Sequence, residues 1–129
     1  MRARYERYKM LFRRKKEIPE PELTREEMEE LVDEGLKYAG QYAAEGNVSG
    51  MEMALEEAMK YGRKIGRSFD PDNIDRIRLQ GYELGEKLMR KQAEKYQGAG
   101  KLREYQNAMQ LADSYGGQAG MLRYGKSKP

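Results

Sequence analysis

An all-α chain with a four-helix body, arranged as two helical hairpins and preceded by a basic, helical N-terminal arm, is predicted by three observations. Apolar residues recur at steps of three and four in four separate stretches, each stretch is bounded by helix start and stop signals, and no stretch alternates with period two over a strand's length. At 129 residues one domain is expected.

The first body helix opens at Thr24, which with Glu27 makes a capping box; each side chain serves a backbone donor of the first turn. Met28, Leu31, Val32, Gly35, Leu36, Ala39, Tyr42 and Ala43 then mark one face as far as about Glu45, and Gly46-Asn47 ends it. Ser49 with Glu52 reads as a second capping box, opening a helix whose inner face is Met51, Ala54, Leu55, Ala58, Gly62 and Ile65 and which ends near Ser68. Asp70-Pro71 places a cap before a proline at the first helical position, so a third helix is expected to bury Ile74, Ile77, Gly81, Leu84, Gly85 and Leu88 before breaking around Tyr96 at Gly98 and Gly100. The last helix carries Leu102, Tyr105, Ala108, Met109, Ala112 and Tyr115 inward and is expected to stop at Gly116-Gly117.

Two internal patterns accompany these helices. A weak repeat at an offset of 50 pairs Gly35 with Gly85, Lys37 with Lys87, Ala43 with Ala93, Gly50 with Gly100, Ala58 with Ala108 and Met59 with Met109. Ala39, Tyr42, Gly46, Leu55 and Ala58 also follow the helix-pair pattern of tetratricopeptide repeats, although Met51 stands where a small residue is usual.

Composition narrows the function. With no cysteine and no histidine, disulfides, thiolate metal sites and the usual general base are ruled out, so no enzyme activity and no cofactor are expected. No apolar run approaches the ~18 residues of a membrane span. The N-terminus lacks both the apolar core of a secretory signal and the serines of an organellar presequence, and the arm is expected to stay on the mature protein.

Charge is segregated along the chain. Residues 1–16 hold 8 basic side chains and 1 acidic, residues 17–34 hold 1 basic and 9 acidic, and the net charge is only +3. After Asp113 no acid follows, while Arg123, Lys126 and Lys128 do. Basic ends around a mixed body are the electrostatic footprint of a polyanion ligand. The expected organisation is a basic arm at 1–16, a stiff linker at 17–23 containing Pro19 and Pro21, a helical body at 24–117 and a basic, glycine-containing tail at 118–129.

Three groups of residues are candidates for contact with nucleic acid. In the arm, Arg2, Arg4, Arg7, Lys9, Arg13, Arg14, Lys15 and Lys16 supply phosphate-binding charge, and Tyr5, Tyr8 and Phe12 lie along one side of a helix there. On the second helix Lys60, Arg63, Lys64 and Arg67 fall at i, i+3, i+4 and i+7, a stripe that reads equally as a solvated face complementing the helix dipole or as a second line of phosphate contacts. In the tail, Arg123, Lys126 and Lys128 offer another anchor. A membrane surface is a poorer partner for the arm, because Tyr5, Tyr8, Leu11 and Phe12 make too narrow an apolar face.

The carboxylates Glu26, Glu29, Glu30 and Asp33, with Glu52, Glu56 and Glu57, resemble in part the Mg²⁺-binding positions of helical nucleoside triphosphate pyrophosphatases. Glu26-Glu-Met-Glu-Glu30 matches one half of that motif, but no partner Glu-x-x-Asp stands on the second helix, so no metal site is assigned.

The basic aromatic-containing arm, the proline linker and the compact helical body together resemble the major coat proteins of filamentous and rod-shaped DNA viruses of archaea. That resemblance implies a structural protein which polymerises, alone or with a related second chain, around double-stranded DNA held in A form. It implies a helical virion filament in which a membrane appears only as an outer envelope. The arm cations would clamp phosphates while Tyr5, Tyr8 and Phe12 pack around the duplex. Two other readings stand beside it: a tetratricopeptide-like protein-interaction module, and a nucleoid-associated protein of a cell, cytoplasmic in location.

Overall fold

The computed structural model describes residues 23–127, with side chains through Tyr124. Four helices follow one another: α1 (Arg25–Glu45), α2 (Val48–Lys64), α3 (Pro71–Gly98) and α4 (Leu102–Ser127). Among the described residues there is no strand, and no helix is long and apolar enough to cross a membrane. The arm and nearly all of the linker lie outside the described residues.

The predicted starts of α1 and α3 hold. The Thr24 hydroxyl accepts from the Glu27 amide at 3.1 Å while the Thr24 amide donates to the Glu27 carboxylate at 3.2 Å. Asp70 caps α3 by accepting from the Asp72 amide at 3.0 Å, with Pro71 in the first turn.

At the start of α2 the expected Ser49–Glu52 capping box does not form. Asn47 is the cap instead, its side-chain oxygen accepting from the Gly50 amide at 3.0 Å. The turn that ends α1 leaves only Gly46 and Asn47 between the helices, so Ser49 is already within α2.

Three turns end their helices in the same way. Gly46, Gly66 and Gly100 take φ near +70°, where a Cβ is costly. In each, the residue after the glycine donates its amide back to the helix: Asn47 to the Tyr42 carbonyl, Arg67 to that of Gly62, and Lys101 to that of Tyr96, at 2.8–2.9 Å. This stop ends α2 at Lys64, earlier than the expected Ser68, and leaves Arg67 off the helix.

The last helix does not stop at Gly116-Gly117; it runs on to Ser127. Ala112 and Ala119 on either side of the glycines are fully buried, and packing against α3 offsets the roughly 1 kcal/mol of helix propensity lost at each glycine. The residues from 118 to 127, expected to be a loose tail, are therefore helical.

α1 and α2 form one hairpin and α3 and α4 the other. α3 lies across both helices of the first hairpin, whereas the backbone of α4 runs beside that of α3, with Tyr115 reaching the central core cluster. The core is built on small residues: Ala39, Ala43, Ala54 and Ala58 are almost completely buried, with Val32, Met51 and Leu55 as its largest enclosed side chains. Helices approach closely where side chains are missing. A Cβ at Gly35 would sit 2.9 Å from that of Ala58, and one at Gly81 would meet the Met51 sulfur. Leu36 and Phe69 join this cluster to a second around Val32, Tyr61 and Ile65, into which Leu23 also packs.

The positions expected to face inward on α1 and α2 are all buried or half-buried, and Glu34, Tyr38, Val48 and Tyr61 are buried beside them, while two expected positions on the later helices are exposed. Leu88 is 39% and Leu102 is 66% exposed, because α3 extends past the turn of the first hairpin and the start of α4 has no helix above it. Conversely, Ala93 and Ala119 are buried.

Candidate nucleic-acid interface

The cationic stripe on α2 has three members, Lys60, Arg63 and Lys64, since Arg67 follows the helix end. Two of the three are turned toward the protein. The Lys60 and Lys64 ammonium groups lie 5.8 and 5.5 Å from the centroid of the buried Tyr61 ring, within cation–π range. Arg63 is exposed. Arg67 is drawn to α1, where its guanidinium donates to the Asp33 carboxylate at 2.7 Å. Beside it, Arg25 donates to the Ile65 carbonyl at 3.1 Å, satisfying the C-terminal end of α2 with a cation from the neighbouring helix.

Three acidic residues of α1 and α2 are engaged by cations in the same way. Asp33 holds Arg67, Glu29 lies 3.5 Å from Arg25, and Glu52 holds Arg78 of α3 at 2.9 Å. Among the described residues no group of three or more carboxylates converges on a point where a metal ion would sit.

Of the C-terminal cations, Arg123 pairs with Glu83 of α3 at 3.0 Å. Lys126 lies in the last turns of α4, and Lys128 is outside the described residues. Also outside them are the arm positions Arg2, Arg4, Tyr5, Arg7, Tyr8, Lys9, Phe12, Arg13, Arg14, Lys15 and Lys16.

The Arg123–Glu83 bridge borders an open cleft of about 500 Å³ between α3 and α4. Leu79 and Leu84 provide its apolar lining, and Arg76, Gln80, Glu86 and Lys87 complete its walls. Both of its carboxylates are occupied. Glu83 is held by Arg123, and Glu86 accepts from the Arg90 guanidinium at 2.7 and 3.1 Å. Arg90 also reaches Asp113 of α4 at 3.3 Å, and its hydrogen bonds to the Glu86 carboxylate raise its already high pKa further.

Beyond the cleft α3 carries a feature absent from the sequence-based candidates. Lys87, Lys91 and Lys95 fall at i, i+4 and i+8, so they share one face, and all three are exposed. The spacing is plain in the sequence. What hid its significance is the interleaving of Glu86 and Glu94, which offset half of the charge of Lys87, Arg90, Lys91 and Lys95 until the structure shows that Glu86 is taken by Arg90.

The two hairpins also correspond in a register that differs from the offset of 50. Superposing the turn glycines, position 46 on position 100, sets the offset at 54 and aligns Ala39, Tyr42, Gly46, Leu55 and Ala58 with Ala93, Tyr96, Gly100, Met109 and Ala112. Ala39, Ala58, Ala93 and Ala112 are all buried. Gly50, by contrast, lies inside α2 and has no turn role to share with Gly100. Comparison of the chain with family models, with curated proteins and with solved structures found no match.

Proposed function

We propose that this chain is a non-catalytic, sequence-tolerant binder of double-stranded DNA that polymerises along it as a coat protein does. The observation that carries this reading is the segregation of charge, with 8 cations against 1 acid in residues 1–16 set before an acidic stretch and a helical body. Cations in such density neutralise successive phosphates and release condensed counterions, which gives affinity without reading bases. Copies joined head to tail without closure extend as filaments, which suits a regular polyanion. The filament would be a virion nucleocapsid; the same chemistry without the filament describes a nucleoid-associated protein.

The test is duplex binding as a function of salt, with sizing of the complex. Full-length protein should give large, DNA-length-dependent assemblies and lose about 10³–10⁵ in affinity between 50 and 200 mM salt. Deleting residues 1–16 should flatten that dependence; an unchanged slope would remove the arm from the interface, and no salt-sensitive binding at all would sink the proposal.

A second reading draws support from the correspondence of the hairpins at the offset of 54. Recurrence of the alanine, tyrosine and glycine pattern in both units suits a tetratricopeptide-like module that binds another protein. It predicts a discrete monomer or dimer whose size is indifferent to DNA.

A further inference from the structure

We infer that the folded body carries a phosphate-tracking surface of its own on the outer face of α3, formed by Lys87, Lys91 and Lys95 with Arg76 and Gln80 at the adjoining cleft. This rests on the proposed binding of duplex DNA, and it places the body's contacts on α3 and not on the cationic stripe of α2.

Availability of charge decides between the two helices. On α2, Lys60 and Lys64 lie over the Tyr61 ring, and Arg67 is bound to Asp33. On α3, among the described residues, Arg76, Lys87, Lys91 and Lys95 are held in no ion pair or hydrogen bond. The acids that would otherwise offset them are engaged: Glu83 by Arg123 and Glu86 by Arg90. Glu94 borders the row as an exposed carboxylate. The result is a row of cations whose field is directed outward.

The spacing suits phosphates. Residues four apart on a helix are about 6 Å apart along its axis, while one strand of B-DNA presents a phosphate every ~3.4 Å along the duplex axis. Three lysines on flexible four-carbon stems can span that difference as point charges without fixed geometry. Arg76, about three turns before the row and across the cleft, would reach a further phosphate bidentately, with the Gln80 amide donating beside it. None of these groups is fixed so as to read a base edge, so the surface adds affinity and orientation only.

The experiment uses the full chain and a mixed-sequence duplex, with affinity followed by fluorescence anisotropy across a salt series. The variant Lys87→Gln/Lys91→Gln/Lys95→Gln is compared with Lys60→Gln/Arg63→Gln/Lys64→Gln, which removes the same charge from α2. Each phosphate that is no longer neutralised lowers the log–log slope by about 0.9, so the slope of the α3 variant should fall by about three and that of the α2 variant by less than about one. A third variant, with the α3 lysines changed to Arg, should retain the wild-type slope, and circular dichroism verifies that all three are folded. Equal losses on α2 and α3 would mean that net charge alone matters and would overturn the inference. So would a wild-type slope in the α3 glutamine variant, while leaving DNA binding itself standing. If the wild-type chain shows no salt-dependent duplex binding, both proposals fall.

Discussion

Gly46 and Gly100 sit at the same backbone position in the turns of the two hairpins, each with φ of +72° and each followed by an amide that caps the preceding helix. Their surroundings are unlike. A Cβ on Gly46 would come within 2.6 Å of a Leu88 methyl and 3.1 Å of the Leu84 Cγ, whereas one on Gly100 would meet nothing within 4 Å. The shared backbone requirement can thus be separated from the packing requirement.

Gly100→Ala should cost about 1–2 kcal/mol, the penalty of placing a Cβ in the left-handed region. Gly46→Ala should cost a further ~1–3 kcal/mol, because Leu84 and Leu88 must move as well. Urea denaturation of the two variants measures the difference; equal values would show that the turns are not packed as described.

The caps of α2 make a second contrast. Asn47→Ala should destabilise by about 1 kcal/mol through loss of the bond to the Gly50 amide. Ser49→Ala, one residue inside the helix, should stay within about 0.5 kcal/mol of wild type. Thermal or chemical unfolding distinguishes them, and the reverse order would restore the Ser49 cap.

Burial sets a third expectation. Met51→Ala should cost about 2–5 kcal/mol, since its side chain is completely enclosed beneath Gly81 of α3. Leu102→Ala should change stability by no more than about 0.5 kcal/mol, its side chain being mostly in water. Both are read from denaturant midpoints at constant slope.

Tyr82 gives the fold a dependence on alkaline pH. Its pKa is raised above 10.0, chiefly by burial and then by the Glu52 carboxylate, partly opposed by Arg78. The folded state therefore holds the phenolic proton more tightly than the unfolded one. Its contribution to stability is complete below about pH 10 and is lost as pH rises through the folded-state value. Tyr82→Phe should remove one late-titrating phenol from the ultraviolet titration and soften the loss of stability as pH rises above about 10; an identical loss in both proteins would contradict the assignment.

Much of this architecture is legible in the sequence because local signals and burial agree there. Thr24 with Glu27 and Asp70 with Pro71 are complete start signals within a few residues, and the apolar faces of α1 and α2 follow directly from helical spacing. Where tertiary packing outweighs a local signal, the sequence misleads. Gly116-Gly117 resembles a stop, but the two alanines buried on α3 carry the helix past it. Ser49 resembles a cap, but the turn at Gly46 has already placed Asn47 there. The candidate interface is harder to read, because a basic residue signals a ligand only when no neighbouring acid has claimed it. Arg67 and Arg123 stand out by their position in the chain, yet Asp33 and Glu83 engage them. Lys87, Lys91 and Lys95 stand beside Glu86 and Glu94 in the chain and are nonetheless unpaired among the described residues.

Because the backbone of α4 lies against that of α3 only, with Tyr115 as its link to the central core, and because the helix exposes Leu102, Leu111, Met121 and Tyr124, cohesion falls off from one end of the molecule to the other. Such a helix can peel away without opening the layers beneath it, so its amides should exchange with deuterium well ahead of those in α1 and α2. Anything that settles on its outer side would lock that end down and lengthen the exchange lifetimes of one helix selectively.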